Sequence, residues 1–165
     1  MAFFREVSVP SNAAGRLLLH SMPGRRERLD ECWREAESVP VHAIICLASD
    51  EEIAQKSPSY LAAITSGDVP CQRWPLGVPD YGVPSDESGF LDLASQVADS
   101  LKNGLNVLVH CGAGIGRTGM FAALVLMRLR IPLEESLKRV KAAGSGPETA
   151  AQRAFLDRMR GNTDG

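Results

Sequence analysis

The stretch His110-Cys111-Gly112-Ala113-Gly114-Ile115-Gly116-Arg117-Thr118-Gly119 constrains this chain more than any other. An apolar strand, residues 105–109, leads into it, and Thr118 and Gly119 open a strongly apolar helix. A thiol, a glycine-rich turn and a guanidinium are thereby gathered where a strand feeds a helix N-terminus. The first N–H groups of a helix lack intrahelical partners and its dipole favours negative charge, so the arrangement suits an oxyanion. Gly112, Gly114 and Gly116 let the backbone curl until consecutive N–H groups converge on one anion. Arg117 adds a fork of donors for two phosphate oxygens, which lysine does not reproduce. The same donors stabilise a thiolate, the form in which cysteine attacks. An inert, buried cysteine is the ordinary fate of a free thiol. That explanation suits Cys32, Cys46 and Cys71; it does not suit Cys111, which is followed by a polar turn.

The remaining pattern alternates strands and helices. Residues 1–15 are mixed and read as peripheral. Residues 16–20 form a short strand stopped by Met22-Pro23-Gly24. Residues 26–38 carry Leu29, Cys32, Trp33 and Ala36 at helical spacing. Arg25, Arg26 and Arg28 at its start read as a solvated face, with a substrate-docking patch the less favoured alternative. The apolar run 41–47 suits a buried parallel strand. Ser49 is placed as an N-cap with Glu52 at the capping-box position, and the helix it opens reaches Ile64 with an interruption at Pro58. A third strand over 69–75 precedes a glycine- and proline-rich loop, 76–84. Helices follow over 88–102 (Phe90, Leu91, Leu93, Ala94, Val97, Ala98 and Leu101 inward), 120–129 (apolar all round, hence buried) and 132–143. Gly144-Ser145-Gly146 ends the last of these, and a final helix runs from Pro147 to about Arg160.

Such alternation predicts a single α/β domain over residues 1–165, with a central, mainly parallel sheet of about four to five strands flanked by helices. Its ligand crevice lies at the carboxyl ends of the strands, where Cys111 falls. A length of 165 residues suffices for one substantial core. The net charge of −2 gives no reason to expect nucleic acid or an anionic membrane as partner. The longest apolar stretch, 120–127, is too short to span a bilayer. Four cysteines without a CxxC pair, and no signal-like segment after Met1, point to a reducing cytoplasm. A monomer is expected.

Residues 110–119 resemble the HCxxGxGR(S/T)G signature of the cysteine-dependent protein tyrosine and dual-specificity phosphatases, with every fixed position filled. The resemblance implies a protein tyrosine phosphatase-like fold and Cys111 as nucleophile, forming a phosphocysteine. Gly112, Ala113, Gly114, Ile115, Gly116 and Arg117 then cradle the phosphate, Thr118 hydrogen-bonds the sulfur, and His110 supports the loop rather than acting as a base. No metal or cofactor is implied. Pro79-Asp80-Tyr81-Gly82-Val83-Pro84 resembles the mobile acid loop, WPDxGVP, of the tyrosine phosphatases, with Val78 where tryptophan is usual. That places Asp80 as acid to the leaving oxygen and then as base to the hydrolytic water. Attack needs an ionised Cys111 and a protonated Asp80, which predicts a bell-shaped pH dependence. Residues 147–152 resemble the water-positioning segment; Gln152 matches its second glutamine, and Glu148 stands where the first would be. Glu51 or Glu52 is available to brace Arg117, a plain helix-start role being favoured. Cys46 is available for a protective disulfide with Cys111, a core role being favoured.

The chain is short and lacks a phosphotyrosine-recognition (KNRY-type) loop, so it resembles the compact dual-specificity-like subgroup, as does the strand and turn of residues 15–24. Ala113 and Ile115 stand where phosphoinositide-specific relatives often carry lysines, which favours a phosphorylated protein as substrate. Two rivals remain. Gly114 to Gly119 also satisfies GxGxxG, the dinucleotide fingerprint, but that fold needs a second strand where 132–143 reads as helix. A non-catalytic phospho-binding relative usually lacks the cysteine or the acid, and both are present here.

Overall fold

The continuous apolar runs of the inner strands explain how they assemble. In the computed structural model, which describes residues 2–162, β1 (Arg5–Val7), β2 (Leu17–His20), β3 (Ala43–Cys46), β4 (Gln72–Pro75) and β5 (Val107–His110) form one sheet. Their order is β1-β2-β5-β3-β4. β5 lies between β2 and β3, parallel to both, and β4 continues the parallel set. β1 alone runs antiparallel, on the edge next to β2. The sheet is therefore mainly parallel, as the sequence predicts. Met1 and residues 163–165 of the single-domain expectation lie outside the described residues.

Side chains of successive strand residues point to opposite faces, and here both faces are buried. Leu17, Leu19, Ile45, Val107 and Val109 face the larger core beneath α4 (Glu87–Lys102), α5 (Gly116–Arg128), α6 (Leu133–Ala142) and α7 (Ala150–Arg158). Leu18, Ile44 and Leu108 face α1 (Leu29–Ser38) through Ala36 and Trp33. α2 (Asp50–Lys56) and α3 (Pro58–Ser66) cover the next part of that face around Cys46, Ile53 and Tyr60. Within the larger core Phe90 packs edge-on against Phe121 at 5.2 Å and Phe155 at 5.6 Å, joining α4, α5 and α7. The domain is a three-layer α/β/α sandwich.

Most boundaries fall within a few residues of expectation, and the departures have local causes. β1 lies in the segment expected to be peripheral; three residues are too few to show a period. α1 begins at Leu29 rather than Arg26, because residues 22–25 turn back, with the Arg25 N–H on the Met22 carbonyl and Gly24 at φ +79. The helix after Ser49 divides at Pro58, where a proline opens α3. α7 starts at Ala150, capped by the Thr149 hydroxyl, rather than at Pro147; a short 3₁₀ turn, Met159–Asn162, follows it. Among the described residues no helix is long and apolar enough to cross a membrane.

Candidate active site

Because β5 is central and parallel to its neighbours, the loop after His110 leaves the sheet at the middle of its carboxyl end. That loop, residues 111–115, runs directly into α5. Donors from the surrounding elements hold its carbonyls in place. The His110 carbonyl accepts from the Leu47 N–H, Gly112 from the Met22 N–H, and Ile115 from the Gly119 and Gly146 N–H groups. His110 Nδ1 takes the Cys111 carbonyl at 3.0 Å. The Gly114 carbonyl is taken twice, by Ser145 Oγ at 2.6 Å and Arg5 Nη2 at 2.7 Å. A peptide's C=O and N–H point opposite ways, so tying these carbonyls outward leaves the N–H groups turned towards the centre. Gly114 has φ +75, and a Cβ there would run into the His20 carbonyl, so this position requires glycine.

Cys111 is buried at the start of this loop, and Thr118 Oγ1 donates to its sulfur at 3.0 Å. His110 Nδ1 must be the donor to a carbonyl, so in the neutral ring Nε2 accepts from the Tyr60 hydroxyl at 2.8 Å. The ring is thereby fixed beneath the loop, away from a base's position.

Arg117 is buried, and both of its terminal nitrogens are engaged. Its Nη1 and Nη2 fork onto Glu52 Oε1 and Oε2 at 2.7 and 2.8 Å, and Nη1 also donates to the Val78 carbonyl at 2.9 Å. Asp80 Oδ1 lies 3.2 Å from Nη2. Burial works against the Arg117 charge, but the Glu52 bonds and the nearby Cys111 sulfur override it and raise its pKa further. Lys56 completes a square of charges, 2.7 Å from Glu52 and 3.6 Å from Asp80. Glu52 therefore braces Arg117, the role the sequence ranked second. Its backbone N–H takes the Ser49 cap at 3.2 Å as expected, while its carboxylate goes to the two cations.

The acid-loop segment folds over this square. Its tip is a turn closed by the Gly82 N–H on the Pro79 carbonyl at 2.8 Å, with Tyr81 at φ +60. A non-glycine residue in that region costs about 1–2 kcal/mol. Two bonds from α7 and its cap hold the strained tip: Thr149 Oγ1 to the Tyr81 carbonyl at 3.3 Å and Gln152 Nε2 to the Gly82 carbonyl at 3.0 Å. Gln152 is buried, and its Oε1 accepts from the Glu148 N–H at 2.8 Å. The Glu148 carboxylate lies so close to the α5 N-terminus that a Cβ on Gly116 would strike it. Around the loop that carries Cys111 and Thr118 the structure gathers Arg117, Asp80, Gln152 and Glu148, all singled out in the sequence.

Arg5, Ser145, Lys56 and Tyr60 were missed. Lys56 stands four residues after Glu52 and was detectable as a helical ion pair. Ser145 was legible only as a helix breaker, and nothing local marks Arg5 or Tyr60. Cys46 remains a free thiol at the end of β3. Burial raises its pKa, but His110 and the Arg73 guanidinium, 3.6 Å from its sulfur, outweigh that and leave it below the ordinary value.

Parallel sheet, outward-tied loop and engaged arginine together define a cysteine-dependent phosphatase of the protein tyrosine phosphatase type. Residues 12–158 match the family model described as "Swiss Army Knife protein, DSP-PTPase phosphatase domain", and the chain belongs to that family of phosphatases. Among solved structures it is similar to kinase associated phosphatase with its catalytic-site cysteine changed to serine, with TM-score 0.82, 19% identity and coverage of 98% of this chain and 96% of that one. It is also similar to Tk-PTP in its active form, with TM-score 0.70, 26% identity and coverage of 92% and 97%. Tyrosine-protein phosphatase non-receptor type 4 of Mus musculus is 47% identical over 47 residues, 28% of this chain. The match spans only 5% of that relative's length.

Proposed function

We propose that this domain dephosphorylates phosphoproteins, taking phosphotyrosine and also phosphoserine or phosphothreonine, through a phosphocysteine on Cys111. The observation that carries the reading is the loop whose carbonyls are tied outward around a sulfur that already accepts from Thr118. In the first step the Cys111 sulfur attacks phosphorus, and the bond to the leaving oxygen breaks. The inward N–H groups of the loop, and the Arg117 N–H groups that Glu52 and Val78 do not hold, stabilise the oxygens in the transition state. Asp80, already beside Arg117, gives its proton to the leaving oxygen, since an alkoxide or phenoxide leaves poorly. In the second step water attacks the phosphocysteine, Asp80 takes a proton from it, and the sulfur departs as a thiolate held by Thr118. Gln152 and Glu148 border the path of that water.

Ala113 and Ile115 in place of basic residues favour protein phosphoesters over phosphoinositides. A single catalytic domain over 1–165, acting as a monomer in the cytoplasm, belongs to the same reading. Turnover of phosphotyrosyl and phosphoseryl peptides and of phosphoinositides, measured side by side, tests the substrate; activity confined to phosphoinositides would overturn it. Cys111→Ser should abolish hydrolysis of aryl phosphates while anion binding persists. Asp80→Asn should slow poor leaving groups far more than good ones, and equal losses across such a series would remove Asp80 as the acid.

A further inference from the structure

The phosphate chemistry leaves a second group of reactive side chains unused at the end of β2. His20, Glu27 and Cys32 bring one ring nitrogen, one carboxylate oxygen and one sulfur within 4.8 Å of one another. His20 ends β2, Cys32 lies near the start of α1, and Glu27 sits in the connection between them. All three are withdrawn from water: Cys32 is fully buried, His20 is 6% exposed and the Glu27 side chain 4%. Phe4 and Phe3 pack against the His20 ring, with centroids 5.3 and 6.2 Å away. A carboxylate has about four acceptor sites. Among the described residues, however, the Glu27 side chain is partnered by one ring nitrogen, His20 Nε2, 2.6 Å from Oε1 and 3.3 Å from Oε2. No lysine or arginine among the described residues pairs with it, and the adjacent Arg28 forks onto Asp30 instead. The Cys32 thiol makes no hydrogen bond among the described residues. Buried charge is costly unless it is paired or coordinates a metal, so a carboxylate this short of donors favours a cation.

We propose that His20, Glu27 and Cys32 form a zinc site that clamps the end of β2 to the start of α1. Zinc takes nitrogen, oxygen and sulfur donors together. Calcium and magnesium need several oxygens, and this cluster offers one carboxylate. Donors on a tetrahedral zinc stand about 3.3–3.6 Å apart, so the 2.6 Å His20–Glu27 pair opens by about an ångström and the sulfur closes from no more than 4.8 Å. On binding, the Cys32 thiol gives its proton to solvent and the neutral imidazole carries its one proton on the other ring nitrogen. Thiolate and carboxylate then balance the divalent charge. His20 and Glu27 also line a groove of about 330 Å³, which is the entry path for the ion and holds a water as fourth ligand. The clamped segment supports the phosphate loop, through the Met22 N–H on the Gly112 carbonyl and the His20 carbonyl packed against Gly114. Cys32, read from the sequence as an inert core thiol, becomes a ligand.

Cobalt(II) is the probe, because a cobalt–thiolate bond gives a charge-transfer band in the near ultraviolet. The parent protein and Cys111→Ser should both show that band, saturating at one cobalt per chain, and Cys32→Ser should lack it. Zinc in about hundredfold excess over its Kd should raise the parent Tm by about 5–10 °C; a chelator should reverse the rise, and Cys32→Ser should not show it. Because an unfolded Cys32→Ser protein would also lack the band, Glu27→Gln supplies a second reading: it keeps an acceptor for His20 and leaves the buried thiol in place. Outer-shell partners alone are worth about 10–100-fold in metal affinity, so loss of this ligand should weaken cobalt binding by at least about tenfold. No band in the parent, a band that persists in Cys32→Ser, a band lost with Cys111→Ser, or equal cobalt affinity in the parent and Glu27→Gln overturns the site. None of these outcomes touches the phosphatase reading, which is judged by turnover.

Discussion

A carboxylate between two cations stays ionised far into acid, and Glu52 is such a group. Burial alone would raise its pKa, but the Arg117 and Lys56 bonds override burial and hold it at about 2, against an ordinary 4.5. A difference of that size corresponds to about 3 kcal/mol. Since the folded value is depressed, the contribution is complete above about pH 4.5 and is lost as pH falls through 2. Glu52→Gln should therefore lower Tm near neutral pH, with the gap to the parent protein closing as pH approaches 2. A gap that stays constant over that range would mean that packing, not charge, is lost. At this scale legibility followed distance along the chain. Cys111, Arg117 and Thr118 sit in one short motif, so their types and spacing announced the chemistry. Glu52 lies 65 residues from Arg117, and Arg5 lies 109 from Gly114. Periodicity cannot report a contact that only the assembled sheet creates.

Among elements, α7 governs both sides of the site. One buried glutamine ties the acid-loop tip, through the Gly82 carbonyl, to the backbone of Glu148. The sequence placed Gln152 near the water path through its resemblance, but not its tethering bonds, because both partners are backbone atoms that any residue supplies. Glu148 was legible as a departure from the family pattern, and its carboxylate does reach the α5 N-terminus. The helix dipole favours it there; a phosphocysteine dianion on the same loop does not. Hydrolysis of the intermediate is therefore expected to be slower than its formation. Glu148→Gln should raise kcat more than kcat/KM, and stopped-flow assays should show a burst of phenol release in the parent that diminishes in the variant. With no burst in either protein and kcat unchanged, Glu148 has no part in the second step.

For the whole molecule, the sandwich was legible because a buried parallel strand must be apolar on both faces, and residues 41–47 and 105–109 show that directly. The antiparallel edge strand β1 was not, since its pairing partners are backbone groups of β2. The aromatic trio was also hidden: Phe90 was read as inward, but its neighbours Phe121 and Phe155 come from other helices. Phe90→Ala should cost about 3–5 kcal/mol through the cavity it leaves. In a domain of this size that is a Tm drop on the order of 10 °C. At temperatures where the variant is folded, kcat/KM should stay close to that of the parent. An equally large kinetic loss there would show that the three-helix contact also shapes the site.

The nearness of Asp80 to Arg117, 3.2 Å, makes the proposed acid a rival for the guanidinium that an incoming phosphate uses. A tethered carboxylate competes at an effective concentration of the order of millimolar, so weakened binding of inorganic phosphate is the expected outcome. Only a ligand that fills the whole ring of N–H donors outbids the loop. Removing that charge, as in Asp80→Asn, lets the phosphate stay.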